Sequence, residues 1–280
     1  DIVVTSIGYP ELDDDGQHLL AQPIASAQAN GITYINAAGN SRQTHWEGRF
    51  IDTNGNDAHE FNNNGDERQC TPSCNVTAPS GQFFAVLDWK REGDGSEYQI
   101  GLYDPSTESV FRLSTERFQT QDNNRQVINT QITQRPVDII IIHTNGPAND
   151  RLELQTYPRR LEDPTGNSSI LPPADAPASI GVAAYVRADK QTARYSSKGP
   201  TDNNRIAPTV TGYTNVDISD RTFTGTSAAA PHVAGVAALV ESATVEDQSP
   251  GELRATLEIT ADDINVSGRD TVSGAGVVNA

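Results

Sequence analysis

Apolar positions in this chain fall into short runs separated by clusters of Gly, Pro, Asn and Asp, and the spacing within the runs changes along the sequence. Ile2 to Ile7 is nearly continuous and β-branched, which predicts a strand buried on both faces of a parallel sheet. Leu20, Ile24 and Ala27 then recur at helical spacing, so a helix runs to about Asn30, with Pro23 either kinking it or marking its true start. Gly31 suits the left-handed position after a helix, and Ile32 to Ile35 predicts a second buried strand. Six runs follow: Phe83 to Trp89, Tyr98 to Asp104, Val110 to Ser114, Gln126 to Thr133, Val137 to His143 and Leu152 to Tyr157. Their spacing of roughly 10–15 residues, with turn formers between, predicts an all-β sandwich. Within it Ile139 to Ile142 reads as a strand covered on both faces. Ser179 to Tyr185 is a further strand, and a helix of small residues begins near Ser227. Ser249-Pro250-Gly251-Glu252 has the N-cap, N1 and N3 residues of a capping box, and so opens another helix.

Composition narrows the class. The 280 residues carry a formal net charge of −17, which disfavours nucleic acid as a partner, and no basic cluster with aromatic residues is present. No apolar run approaches the roughly 18 residues that span a bilayer. The balance fits a secreted, extracellular or periplasmic protein. Cys70 and Cys74 are the two cysteines, and in a secreted protein a small disulfide loop is the better reading than a metal site. Asn75-Val76-Thr77, Asn167-Ser168-Ser169 and Asn265-Val266-Ser267 are glycosylation sequons.

The chemistry concentrates in two segments. In Gly225-Thr226-Ser227-Ala228-Ala229-Ala230-Pro231-His232-Val233-Ala234-Gly235 a serine hydroxyl stands at a helix N-terminus, where free N–H groups and the dipole favour a developing negative charge. Pro231 falls in or near the first turn, where a missing N–H costs least. In Ile32 to Asn40 a strand ends in Ala37-Ala38-Gly39-Asn40, which puts a short amide donor at a carboxyl edge. Both strings resemble the subtilisin-like serine proteases, the subtilases. The resemblance implies Ser227 as nucleophile and Asn40 as oxyanion donor. It implies a cleft lined by Ser6, Gly8, Ala37, Ala38 and Gly39, with Pro172, Pro173 and Ala174 near the pocket for the substrate residue that is cleaved. Arg194 to Pro200, Arg205 to Val210 and Gly268 to Ala280 resemble other segments of the family, although the carboxylate usual before Ala207-Pro208 is missing.

The implied fold is α/β: a three-layer, subtilisin-like parallel sheet lacking its N-terminal part, over 1–45 and 166–280. An inserted jelly-roll-like β-sandwich would occupy 46–165. The implied reaction is peptide-bond hydrolysis through an acyl-enzyme, with protein or peptide substrates and no cofactor. A base and its orienting acid are not apparent. None of His18, His45, His59, His143 and His232 lies in the family's His-Gly-Thr-His context; His18 reads as a surface residue and His232 as a packing residue. The chain is therefore expected to be the C-terminal part of a longer protease, with the N-terminal portion as its partner. The alternative is a non-catalytic, subtilase-like binding or scaffold protein. Asp52, Asn54 and Asn56 offer oxygens at alternate positions, as a structural calcium loop does, although Asp57 stands where an EF-hand has its glycine. A solvated turn is the competing reading.

Overall fold

The computed structural model describes residues 1–62, 65–70, 81–90, 95–114, 116–119, 123–132, 137–244 and 247–279. Cys74, and so the Cys70–Cys74 pairing, lies outside them, as does the first sequon. The chain divides into two compact units, Asp1–Arg42 with Gly166–Ala280, and Gln43–Thr165.

The first unit opens with β1 (Ile2–Thr5), α1 (Ala21–Ala29) and β2 (Thr33–Ala37). The second contains β3 (His45–Arg49), β4 (Gln69–Cys70), β5 (Gly81–Lys90), β6 (Glu97–Asp104), β7 (Ser109–Leu113), β8 (Glu116–Gln119), β9 (Asn123–Ile132), β10 (Asp138–Asn145) and β11 (Arg151–Tyr157). The chain then returns to the first unit with β12 (Ser179–Val186), β13 (Gln191–Thr192), β14 (Val210–Tyr213), the hairpin β15 (Val216–Ile218) and β16 (Arg221–Phe223), α2 (Thr226–Ala243) and α3 (Pro250–Ile259).

In the first unit β2 pairs in parallel with β1 and β12, and β12 pairs in parallel with β14; β13 adds an antiparallel edge. Alternation along β2 sends Ile35 into a core with Val182, Val210, Ala229, Val233 and Leu257, while Tyr34 sits with Ile24 of α1 around an apolar cavity. Small residues let α2 approach the sheet: a Cβ on Gly212 of β14 would lie 2.5 Å from the Ala229 carbonyl oxygen. β1 differs from expectation. It is an edge strand among the described residues, ends at Thr5 rather than Ile7, and leaves Val3 and Val4 exposed by 36% and 41%. The capping box is present in both directions: the Ser249 hydroxyl accepts the Glu252 N–H, and the Glu252 carboxylate accepts the Ser249 N–H. Those bonds hold the Glu252 carboxyl below its usual range.

The second unit is two antiparallel sheets, ordered β4-β10-β6-β7 and β3-β11-β5-β9-β8. One core receives side chains from both: Ile100, Leu102, Ile139 and Ile141 from the first, Trp46, Leu87, Leu152 and Leu154 from the second. Hydrophobic alternation sets the register, and the cross-strand pair Asp88–Arg125, with two hydrogen bonds, reinforces it. β10 corrects the expected double-sided burial: Ile139 and Ile141 are buried, but Ile140 and Ile142 are only partly covered, because one face of an antiparallel sheet needs no apolar cover.

His59 is 1% exposed in an aromatic nest, with ring centroids 4.7 Å from Phe61 and 4.8 Å from Trp46. Its Nδ1 accepts the Ile51 N–H, and Nε2 has no partner among the described residues. Burial pushes its pKa from 6.5 down to about 4. Between those values the unfolded chain binds a proton that the folded one refuses, so stability falls as pH drops from 6.5 toward 4, by about 3 kcal/mol in all. Trp46 and Trp89, the two tryptophans of the chain, both lie in this core and report its unfolding by fluorescence. Urea midpoints followed this way should fall across that window, and His59→Gln should remove about one proton from the slope. An unchanged slope in the variant contradicts the assignment.

Candidate active site

Two chain turns meet at the carboxyl edge of the parallel sheet. After β2, the segment Ala38 to Ser41 is fixed from both sides. The Ala38 N–H donates to the Val182 carbonyl, the Ala38 carbonyl accepts the Leu171 N–H, the Gly39 carbonyl accepts the Ser197 N–H, and the Ser41 N–H donates to the Ser197 hydroxyl. The second turn is Gly225, at φ 112° and ψ 166°, a conformation that excludes a side chain. Its N–H donates to the Tyr195 and Thr214 hydroxyls, and its carbonyl accepts from Thr214, so the residue entering α2 is clamped before the helix begins.

The turns are joined directly. The Asn40 Oδ1 accepts both the Thr226 N–H, at 3.0 Å, and the Thr226 hydroxyl, at 3.1 Å. The same hydroxyl accepts the Gly39 N–H at 3.2 Å. With its oxygen committed, Asn40 has only its amide nitrogen to offer outward. A Cβ on Gly225 would lie 3.2 Å from that nitrogen, which places it over the start of α2. Asn40 and Ser227, 187 residues apart in sequence, therefore share one site. Neither the Asn40 Nδ2 nor the Ser227 N–H has an acceptor among the described residues.

Ser6 follows β1 and makes a reciprocal pair with Ser227. The Ser227 hydroxyl donates to the Ser6 carbonyl and the Ser6 hydroxyl donates to the Ser227 carbonyl, each at 3.1 Å. The second bond has a clear cause. Pro231 is the sixth residue of α2, beyond the first turn expected from the sequence, and it has no N–H for the carbonyl four residues earlier. That carbonyl belongs to Ser227, and Ser6 supplies the missing donor. His232 is half-buried, with Nδ1 2.9 Å from the Ala228 carbonyl. Gly8, Ala37, Ala38, Gly39, Pro173 and Ala174 also lie in this unit; Ala37, Ala38, Gly39, Pro173 and Ala174 are buried. The apolar cavity noted beside α1, about 210 Å³, includes Pro173 but neither Ser227 nor Asn40.

His18 is not a surface residue. It is 7% exposed, and its Nε2 lies 3.0 Å from the Asp175 Oδ1. Its Nδ1 accepts the Leu20 N–H, so Nε2 carries the proton toward the carboxylate, whose other oxygen accepts the Gly16 N–H. The loop before α1 folds back over His18, which the periodicity of the helix did not signal. In the other unit the Asp52 carboxylate accepts the N–H groups of Gly55, Asn56 and Asp57. Desolvation raises its pKa, and these bonds outweigh that and lower it. Asn54 Oδ1 accepts the Asn56 N–H and Asn56 Oδ1 the Ala58 N–H, while both amide nitrogens donate to Glu67. The side-chain oxygens of Asp52, Asn54 and Asn56 thus already close turns.

Thr226 is the residue that sequence reading missed, since its hydroxyl is what joins the two turns. Thr226→Val keeps the shape but leaves the Gly39 N–H buried without an acceptor and frees one side of Asn40. We expect a loss of about 1–3 kcal/mol in unfolding free energy, with Thr226→Ser near wild type. Equal stability of the Val variant in urea denaturation would contradict the role given to this hydroxyl.

Residues 139–276 match the model of the subtilase family. The fold is similar to that of the CspB protease of Clostridium perfringens, with a TM-score of 0.68 at 17% identity, over 99% of this chain and 65% of that protease. Apa1, a psychrophilic subtilisin-like protease from Pseudoalteromonas sp. AS-11, aligns over 99% of this chain and 68% of its own length at 16% identity, with a TM-score of 0.32. This chain thus spans about two thirds of the length of these proteases. The family match covers 139–276, just under half of the chain, and the fold shared with the CspB protease covers nearly all of it, so the chain is similar to the subtilases in that segment and in fold.

Proposed function

We propose that this chain supplies the nucleophile and oxyanion site of a secreted serine endopeptidase, and that a base and its orienting acid come from polypeptide outside it. The observation that carries the reading is the pair of unengaged donors, Asn40 Nδ2 and Ser227 N–H, beside a serine hydroxyl at a helix N-terminus. In this reading the base withdraws the Ser227 Oγ proton and Oγ attacks a peptide carbonyl. The two donors hold the resulting oxyanion, the amine leaves with a proton from the base, and water releases the acyl group. The Ser6 carbonyl, which accepts from Ser227 here, becomes free to accept an N–H of the bound peptide. Ser6 to Gly8 then pairs with substrate as an added strand. The bonds of the histidines in the same unit support an outside base: His18 is engaged with Asp175 and Leu20, and His232 with Ala228.

The same proposal takes the first unit as a three-layer subtilisin-like sheet and the second as a jelly-roll-like β-sandwich that adds no group to the chemistry. Its substrates are peptides or proteins. No helix among the described residues is long and apolar enough to cross a membrane, which accords with secretion. Catalysis requires no metal. Because the Asp52 loop closes on its own backbone, we propose a solvated turn there rather than a calcium site; removing Ca²⁺ with EDTA should leave the melting temperature within about 1 °C. A larger drop that Ca²⁺ restores would make Asp52, Asn54 and Asn56 a structural calcium site.

The test compares this chain with the longer polypeptide that includes the upstream region, using a chromogenic peptide and a serine-reactive phosphonate. Subtilisin loses on the order of 10⁶-fold in kcat without its base, and the 280-residue chain should be reduced by a similar factor. In the longer protein Ser227→Ala should abolish turnover. Asn40→Ala should lower kcat by about 10²–10³-fold, as removal of the oxyanion asparagine does in subtilisin. Fast turnover by this chain, with stoichiometric labelling of Ser227, refutes the outside base. No turnover by the longer protein favours the non-catalytic scaffold.

A further inference from the structure

A third segment, Ala193 to Ser197, reaches both turns of the site. It follows β13 and is pinned to β12, where the Ala193 N–H donates to the Ala184 carbonyl at 2.7 Å and the Ala184 N–H donates to the Ser196 hydroxyl at 3.0 Å. From this base it holds each turn with a different residue. Ser197 holds the turn after β2: its N–H donates to the Gly39 carbonyl and its hydroxyl accepts the Ser41 N–H, both at 2.9 Å. The Tyr195 carbonyl adds a hold on the same stretch of chain, accepting the Arg42 N–H at 3.3 Å. The Tyr195 side chain goes the other way, to the start of α2, where its hydroxyl accepts the Gly225 N–H at 3.0 Å. The spacing between Asn40 and Ser227 is thus set twice, once by the clasp through Thr226 and once by this brace.

Tyr195 shares the Gly225 N–H with the buried Thr214, whose Oγ1 lies 3.0 Å from both the Gly225 N and the Tyr195 Oη. The Thr214 hydroxyl donates to the Gly225 carbonyl at 3.1 Å, which uses its one proton. In its bond to Thr214 the Tyr195 hydroxyl is then the donor. These bonds fix two successive peptide planes. One carries the Gly225 N–H; the next carries the Gly225 carbonyl and the Thr226 N–H, which reaches Asn40. Ser227 comes next in the chain, so the direction of its N–H depends on both. Glycine is the residue freest to move, and this one needs holding. Resting on the catalytic reading above, we propose that Tyr195 is a positioning residue for the nucleophile. Its hydroxyl sets the Gly225 turn so that Ser227 Oγ and the Ser227 N–H stand correctly against Asn40. The ring is half-buried against the core that includes Val210 and Val233, and phenylalanine would pack there equally well. The role therefore belongs to one oxygen atom.

Tyr195→Phe tests this in the longer polypeptide with the chromogenic peptide. The end point of phosphonate labelling counts competent sites, so unfolded molecules do not enter kcat. The variant should label fully and keep KM within about twofold, because Tyr195 does not hold the segment Ser6 to Gly8. Its kcat should fall about tenfold, less than the roughly 10²-fold that a misplacement of about 1 Å can cost. Thr214→Val leaves the Tyr195 hydroxyl as the one remaining acceptor for the Gly225 N–H. In that background Tyr195→Phe should cost at least about 30-fold, because the N–H then loses its last partner. If circular dichroism shows the double variant to be unfolded, the single variant decides. A wild-type kcat in Tyr195→Phe, a raised KM at unchanged kcat, or a loss of turnover matched by an equal loss of labelled sites overturns the role of Tyr195 and leaves the catalytic reading intact. Equal factors in the two backgrounds overturn the shared hold on Gly225. No turnover by the wild-type longer protein overturns the catalytic reading, and this proposal with it.

Discussion

The contact on which the rest depends is the clasp between Asn40 and Thr226. Two polar groups on Thr226 reach one oxygen of Asn40, and the same hydroxyl holds the Gly39 N–H. This joins the end of a strand to the start of a helix across 186 residues of chain. It also assigns the direction of the Asn40 amide. Because Oδ1 is engaged, Nδ2 is the group turned outward, and a donor fixed before substrate arrives is what stabilisation of a developing oxyanion requires. Gly225 makes the clasp possible, since any side chain there would strain the backbone and crowd the amide.

Around the clasp, small residues and missing donors are put to use. α2 lies close to the sheet because Gly212 and Ala229 have nothing to keep them apart. Pro231 breaks one helical hydrogen bond, and the carbonyl so released is the one belonging to Ser227. Ser6 satisfies it and so ties the position of Ser227 to the end of β1. The price in helix stability is local, and the return is a serine whose backbone is held from outside its own helix.

Much of this was legible in the sequence because it depends on local rules. Gly-Thr-Ser before a run of alanines gives a helix start, Ala-Ala-Gly-Asn gives a strand end, and Ser249 to Glu252 gives a capping box, all without reference to distant residues. What was not legible depended on partners. His18 looked like a surface residue because Asp175, which buries it, is 157 residues away. β1 looked buried because its residue types are those of a core strand, yet no described strand covers its outer edge. Short strands such as β3 and β8 carry polar residues that no periodicity picks out; pairing with β11 and β9 makes them strands. The link through Thr226 was hidden for the same reason, since a threonine in a motif does not announce which hydrogen bonds it will make.

The central claim is that Ser227, Asn40 and the Ser227 N–H form one oxyanion site around one nucleophile. A crystal structure of the chain with a peptide boronic acid ending in alanine tests it most directly. The account predicts a bond from Ser227 Oγ to boron, with one boron-bound oxygen within hydrogen-bond distance of both Asn40 Nδ2 and the Ser227 N–H, and with Asn40 Oδ1 still bound to Thr226. Boron bonded to another residue, or its oxygen turned away from Asn40, would contradict it.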